Sequence, residues 1–318
     1  MTSKVETVKQ KAAEYKKRAY KLNERTLRFS KKGTGTLVGN LLTYAVLISL
    51  TVIFLAPFIY MLSRSVMSAK DIADFYNVKW LPRSFVFENY SYAFKILDYW
   101  ATLARSLLYA GLATLFQVLS CSFVAYGLAR IRFRGSNLLF VLVIFALIVP
   151  PQTIIVTQYV MYSNFNLVNT AIPFILPCLF SLGLNGGLFT FLFRQFYKSM
   201  PQELENAALI DGTGIFGAYF RVIMPNASAT TLVVCILAFI WQWNNYFEPS
   251  IYITDRKAYS LTMMLQNLGG NTAAMGGAAF TDGVKLAATF LCALPVILFF
   301  FILQRRFMKG IETTGLAN

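Results

Sequence analysis

The run GSNLLFVLVIFALIVPPQTIIVTQYVMYSNFNLVNTAIPFILPCLFSLGLNGGLFTFLF, residues 135–193, holds 59 residues and no Asp, Glu, Lys or Arg. Arg134 and Arg194 bracket it. A helix needs about 20 residues to cross the hydrocarbon core of a bilayer. One crossing cannot use up this stretch, so two must fit, turning at the polar segment from Ser163-Asn164-Phe165-Asn166 to Asn169-Thr170. Working outward, residues 37–62 carry no charge, Arg105 to Arg130 encloses 24 uncharged residues, Arg221 to Glu248 encloses 26 and Lys285 to Arg305 encloses 19. The gaps predict six transmembrane helices near 38–62, 104–129, 137–160, 171–193, 228–252 and 284–304. Runs of this length without alternation exclude a membrane β-barrel. The fold class expected is an all-α membrane protein, with kinks at Pro150-Pro151 and at Pro173 and Pro177.

Composition agrees. Of 318 residues, 57% are hydrophobic, 16% aromatic and only 14% charged, against about 25% charged in an average soluble protein. There is no histidine, which removes His-based acid–base chemistry and imidazole metal sites. Cys121, Cys178, Cys235 and Cys292 lie in apolar runs without a CxxC pair and read as small buried hydrophobes. No catalytic or metal-ligating set emerges.

The net charge of +15 is placed as an orientation signal, not as a nucleic-acid surface. Residues 1–36 hold eleven Lys/Arg and three Glu. If the N-terminus is cytoplasmic, twenty of the 29 Lys/Arg fall on that side, so both termini are expected inside a cytoplasmic membrane. Within the tail, Val5, Val8, Ala12, Tyr15, Ala19 and Leu22 recur at helical steps between Lys and Arg. That pattern suits either a basic amphipathic helix on anionic lipid or a solvated orientation signal. The chain divides into the 1–36 tail, a 37–310 transmembrane domain with a core of about 102–304, and a 311–318 cytoplasmic tail. Two external segments, 63–101 and 253–283, are longer than connectors need to be. The second, with Gly269-Gly270-Asn271 and Gly276-Gly277, is the better candidate for meeting something outside.

The cytoplasmic loop between helices four and five is the most informative. Pro201 suits the first turn of a helix. Residues 202–210 read as a short helix carrying Glu203, Glu205, Asn206, Ala207 and Ala208; Asp211-Gly212 breaks it. A second short helix carries Phe216, Tyr219, Phe220 and Ile223, and Pro225 starts helix five. An apolar-faced helical hairpin fits either a groove in a partner or the underside of its own bundle. Gly212 sits where the chain must turn, with a positive φ or a close approach expected.

This loop resembles the EAA loop of ABC importer permeases. Aligned on Gly212, Ala207 and Ala208 match the two alanines, and Val222-Ile223-Met224-Pro225 fills the closing Ile-x-Leu-Pro nine residues on. The glutamate position falls on Asn206, with Glu205 one residue earlier. From about residue 37 to 310 the chain is similar to the second permease subunit of the maltose-type sugar importers. The landmarks are Val149-Pro150-Pro151-Gln152, Asn166-Leu167-Val168-Asn169-Thr170, Arg194-Gln195-Phe196, Trp243-Asn244-Asn245-Tyr246 and Gln304-Arg305-Arg306-Phe307-Met308-Lys309-Gly310.

The resemblance implies a type I ABC importer transmembrane fold with EAA-type coupling helices. It also implies a homologous second permease, two ATPase subunits carrying ATP and Mg, and an external solute-binding protein. On that reading Glu203, Glu205, Asn206, Ala207, Ala208, Asp211, Gly212 and Pro225 couple to the ATPase. Gly269, Gly270, Asn271, Gly276 and Gly277 reach the binding protein, and the C-terminal tail inserts at the ATPase interface. No GxxxxGK[ST] occurs, so an ATP site of that kind would belong to a partner. Polar and aromatic residues within spans, Asn185, Trp241, Gln242, Trp243, Asn244, Asn245, Tyr246 and Glu248, are candidates for a sugar path, or for interhelical hydrogen bonds and an aromatic belt. A secondary transporter would show buried charges and an internal repeat, and a membrane enzyme clustered acids. Neither pattern is present, and only Glu248 approaches a span. An importer of a non-sugar solute stays open.

Overall fold

A computed structural model describes residues 39–74, 76, 80–270 and 278–315. The chain separates into two units, 1–61 and 62–318. The first contains most of α1 (Gly39–Ser65), 27 residues with a mean hydropathy of 2.4. At about 1.5 Å per residue it is long enough to span a bilayer. Its hydroxyls are absorbed locally: Thr43 Oγ1 donates to the Gly39 carbonyl at 2.9 Å and Thr51 Oγ1 to that of Leu47 at 2.7 Å.

The second unit runs α2 (Ala69–Ala73), α3 (Glu88–Leu97), α4 (Tyr99–Arg130), α5 (Ser136–Ile148), α6 (Ile155–Asn164), α7 (Ile172–Ile175), α8 (Gly186–Ser199), α9 (Gln202–Ile210), α10 (Gly214–Ala218), α11 (Met224–Asn226), α12 (Ser228–Asn244), α13 (Phe247–Tyr252), α14 (Leu261–Gln266) and α15 (Ala278–Gly315). No strand occurs among the described residues. α4 is the spine, packing against α8, α12 and the 3₁₀ turn Leu176–Phe180. Its buried face is built from small residues, among them Ala110, Ala113, Cys121, Ser122 and Ala125, which lets neighbouring backbones approach closely. One core gathers at its Tyr99 end around Leu97, Phe239, Trp243 and Leu291. Another gathers towards its Arg130 end around Tyr126, Phe193, Tyr197 and Tyr219.

Not all of the six expected spans are single unbroken helices. By length and apolarity three described helices qualify outright: α1, α4 and the Asp282–Gln304 part of α15. The third, fourth and fifth expected spans are broken. Helix 137–160 is interrupted at Val149–Ile154, where Pro150 and Pro151 remove two backbone donors and a 3₁₀ turn replaces the helix. Helix 171–193 is interrupted by the 3₁₀ turn after α7 and by Ser181–Asn185, whose end residues both have positive φ. Proline accounts for the 3₁₀ turn, whereas the unwinding at 181–185 is not a proline kink. Helix 228–252 breaks between α12 and α13, and the chain from α10 to α13 bends by 78° where α11 meets α12.

Both long connections pack against the unit's own helices over much of their length. Within 63–101, α2 and α3 both pack on α15, and α3 also packs on α4. Asn89 Nδ2 donates to the Ser65 and Met67 carbonyls at 2.9 Å each, and Arg83 pairs with Asp74 at 2.8 Å. In the second connection, 253–268 packs on the unit's own helices. Leu261 N–H donates to Ser106 Oγ at 2.6 Å, Arg105 Nε to the Tyr259 carbonyl at 3.0 Å, and the Asn169 carboxamide accepts from Thr254 and Asp255. Gly269 and Gly270 close a 3₁₀ turn. Asn271, Gly276 and Gly277 lie outside the described residues, as does the 1–36 tail. The proposed 311–318 tail begins as a continuation of α15, which is helical to Gly315.

Candidate functional site: a helical hairpin tied to the bundle

α8 ends at Ser199, and Pro201, extended at φ −56° and ψ 138°, sits immediately before α9. Its missing N–H costs nothing there. Glu203 and Glu205 occupy the first turn, where negative charge suits the helix dipole. α9 closes with the Gly212 N–H donating to the Leu209 carbonyl at 3.0 Å. Thr213 donates its N–H at 3.2 Å and its hydroxyl at 2.7 Å to the Ala208 carbonyl. Gly212 has φ +79° and Gly214 φ +68°. A Cβ on Gly212 would meet no atom within 4 Å, so the turn needs glycine for its backbone and not for space within this chain. α10 then widens into a single π turn, Tyr219–Ile223, just ahead of Pro225.

The hairpin has two faces. Outward lie Leu204, Leu209, Ile210, Ile215, Phe216 and Phe220, with Ile210 85% and Phe216 67% exposed. Inward lie Ala208, Ala218, Tyr219 and Ile223. Tyr219 and Tyr197 both hydrogen-bond Ser122 Oγ through their phenols, at 2.8 and 2.6 Å. Burial raises the Tyr219 phenol above its ordinary pKa, so it acts as a neutral hydroxyl. Tyr126 O–H donates to Glu205 Oε1 at 2.6 Å, and its ring lies 5.0 Å from that of Tyr219. Arg130 donates to the Met200 carbonyl at 2.7 Å and lies 3.7 Å from Glu205 Oε2.

These contacts divide the sequence candidates. Glu203, Asn206, Ala207, Asp211 and Gly212 are exposed. Glu205 and Ala208 are not outward-facing: Glu205 is held by Tyr126 and Arg130, and Ala208 is buried. Pro225 is exposed at the entry to α12. Sequence reasoning missed Ser122, Tyr126, Arg130 and Tyr197. A signal existed, since Ser122, Tyr126 and Arg130 follow one another at four-residue steps and therefore share a face of α4.

A second polar cluster sits where the fourth span unwinds. Gln117 Nε2 donates to the Leu184 carbonyl at 2.7 Å and Gln117 Oε1 accepts from Gln242 Nε2 at 3.2 Å. Ser120 Oγ donates to the Cys178 carbonyl at 2.5 Å, and the hydroxyls of Ser181 and Thr190 share a hydrogen bond of 2.7 Å. Gly186 must be glycine here, because a Cβ would overlap the Ser181 carbonyl. The cysteines are free; Cys121 and Cys178 are buried within this cluster.

The eight path candidates do not converge on one cavity. Gln242, Trp243 and Asn245 line a space of about 20 Å³ with Ser106, Tyr109 and Ser260, room for about one water. Trp243 Nε1 is committed to the Cys292 carbonyl at 3.2 Å, Asn245 to Glu248 at 2.9 Å and Asn244 to its own Ile240 carbonyl at 2.9 Å. Trp241 packs on Phe189 at 5.4 Å, Asn185 starts α8 with φ +59°, and Tyr246 is 37% exposed.

The family described as binding-protein-dependent transport system inner membrane component matches residues 117–313. That stretch includes the spine from Gln117 onward, the unwound segment and the hairpin. The chain is 30% identical over 266 residues to a probable ABC transporter permease protein, YurM, of Bacillus subtilis, covering 82% of this chain and 84% of that one. It is 28% identical over 262 residues to the melibiose/raffinose/stachyose import permease MelC of the same organism, covering 81% and 89%. To the diacetylchitobiose uptake permease NgcG of Streptomyces coelicolor it is 29% identical over 275 residues, covering 85% and 87%. A crystal structure of a bacterial ABC transporter that imports alginate contains a chain of the same fold, with a TM-score of 0.70 at 19% identity, covering 85% of this chain and 96% of that one. The chain belongs to the binding-protein-dependent transport system inner membrane components, as a permease subunit of an ABC importer with the type I transmembrane fold.

Proposed function

We propose that this subunit moves a sugar or oligosaccharide across the cytoplasmic membrane by alternating access, driven by ATP hydrolysis on partner ATPases docked at α9 and α10. The observation that carries the reading is the hairpin: its outer face is apolar and exposed, and its inner face is hydrogen-bonded to α4 and α8. A surface of that kind calls for a partner, and its inner bonds would pass a push into the bundle. On this reading Glu203, Asn206, Ala207, Asp211 and Gly212 face the ATPase, whereas Glu205 braces the hairpin from within. ATP and Mg sit on the ATPase. A homologous second permease completes a heterodimer, and residues 269–277 meet an external binding protein. Both termini are cytoplasmic, and the end of the chain from 308 reaches the ATPase interface. The sugar class rests on relatives named for starch degradation products, melibiose, raffinose, stachyose and diacetylchitobiose.

The test is reconstitution of the chain with its sister permease, ATPase and binding protein in proteoliposomes. ATP-dependent uptake of an oligosaccharide is expected, with none when the binding protein is omitted. Uptake driven by an ion gradient without nucleotide would return the chain to the secondary transporters. Reporter fusions after residues 90, 166 and 270 should read external and those after 133, 210 and 318 cytoplasmic; a cytoplasmic reading at 270 overturns the topology.

A further inference from the structure

The connection from α4 to α5 opens onto a shallow pocket of about 460 Å³ lined by Arg132, Arg134, Arg194 and Lys198, with Ser136 and Asn137. No carboxylate lines it. Among the described residues none of these four cations has an acidic partner within 4 Å, whereas the neighbouring Arg130 is taken by Glu205 and Met200. Arg194 is the built element. It is 5% exposed, lies 3.7 Å above the Phe140 ring, and donates to the Leu128 carbonyl at 3.3 Å and to Asn137 Oδ1 at 3.2 Å. A buried guanidinium without a counter-ion is costly, and here its fixed charge lines an open pocket. Arg132, Arg134 and Lys198 are exposed around it. The first turn of α5 begins at the same place, at Gly135 with φ +92°, so the positive end of its dipole adds to the field.

Above the pocket stands α5. None of its residues is buried, and Leu138, Val141, Leu142 and Phe145 are exposed apolar side chains along it. An apolar helix face rising directly from a basic pocket has the two-part chemistry of a phospholipid: acyl chains along the helix, a phosphate below. We infer that the pocket formed by Arg132, Arg134, Arg194 and Lys198 binds the phosphate of an anionic phospholipid headgroup, with the lipid tails lying on α5. The assignment requires only that the bundle sits in a bilayer. It does not depend on what the protein transports or on ATPase docking.

Native mass spectrometry of the full-length chain in neutral detergent tests it, titrating phosphatidylglycerol against phosphatidylcholine of the same acyl composition. Arg132→Gln with Arg134→Gln removes two exposed charges and leaves the buried Arg194 in place. Phosphatidylglycerol binding should weaken about 30-fold, at about 1 kcal/mol for each charge removed, with phosphatidylcholine binding unchanged. Lys70→Gln with Lys95→Gln, two exposed charges away from the pocket, should leave both unchanged. A melting curve matching wild type shows that the pocket variant is folded; if it is not, Lys198→Gln alone, with about a fivefold loss expected, replaces it. Equal affinity of wild type and pocket variant for phosphatidylglycerol overturns the proposal. So does an equal loss in the Lys70 and Lys95 pair, which would mean diffuse attraction. Displacement of the lipid by millimolar inorganic phosphate would make this a site for free phosphate and also overturn it.

Discussion

Gly212→Val separates the backbone of the hairpin from its contacts. At φ +79° the residue is in the left-handed region, where an L-residue costs about 1–2 kcal/mol and a β-branched one sits at the upper end of that range. No atom lies within 4 Å of the added Cβ, so the whole cost falls on the turn and none on the bundle. What opposes it locally is two hydrogen bonds from Thr213 and one from Gly212. About 2 kcal/mol against that turn lowers the closed-to-open ratio of the hairpin by roughly 30-fold, which sets the upper limit on the loss of affinity. The measurement is affinity of the purified permease complex for its ATPase, with melting temperature alongside. The valine variant should lose about 10- to 30-fold in ATPase affinity and stop transport while melting like wild type. Gly212→Asn is the control, because asparagine enters the left-handed region readily; it should lose less than about threefold. If valine binds ATPase within about twofold of wild type, α9 and α10 are not the dock. If asparagine is as impaired as valine, the requirement is close approach of the partner's backbone and the strain argument is wrong.

Ala207→Asp and Ala208→Asp, one residue apart, should fail differently. The exposed Ala207 variant should keep its melting temperature and lose about tenfold in ATPase co-purification, whereas the buried Ala208 variant should unfold early, because a buried unpaired carboxylate is costly. Glu205→Ala should destabilise the complex by about 3 kcal/mol, since it strips the acid from Arg130, whose side chain is 4% exposed; thermal melting reads this, and a shift under about 1 °C refutes the inward assignment. Gln117→Leu leaves the Leu184 carbonyl and the Gln242 amide without their partner, about 1–3 kcal/mol. Uptake should fall with ATPase affinity intact, the reverse order of loss from Gly212→Val.

Charge gaps carried most of the fold because hydrocarbon forbids charge, and that constraint acts residue by residue. They could not show where spans break. Pro150-Pro151 announces one break, because proline removes a donor. Ser181–Asn185 announces little, since Ser, Gly and Asn are equally at home inside a membrane helix. Within the break Gln117, far off in the chain, captures the freed Leu184 carbonyl, and Ser120 holds the Cys178 carbonyl in the turn before it. The hairpin was legible because Pro201, Gly212 and Pro225 punctuate it. The direction of Glu205 was not, because it depends on Tyr126 and Arg130, far off in the chain. Periodicity gives the face of a helix; which partner that face meets is a tertiary fact.

The two clusters are joined by the same pair of helices, and this decides how a push could travel. α4 carries Ser122, Tyr126 and Arg130 against the hairpin and Gln117 against the unwound segment. Gln117 and Ser122 are five residues apart, about 7.5 Å along the axis. α8 begins at the break with Gly186 and reaches the hairpin hub with Tyr197. Between those points both helices are uninterrupted, and they share a core of Cys121, Ala125, Phe189 and Phe193. Packed cores switch between discrete arrangements and do not deform smoothly. A displacement of α9 and α10 would therefore move α4 and α8 as one body. The strain would appear at the next joint lacking a continuous helix, Ser181–Asn185. That joint is tied through Gln117 to Gln242, which lines the small polar cavity with Asn245. The exposed apolar face of the hairpin and the polar cavity are thus one helix pair and one side-chain relay apart.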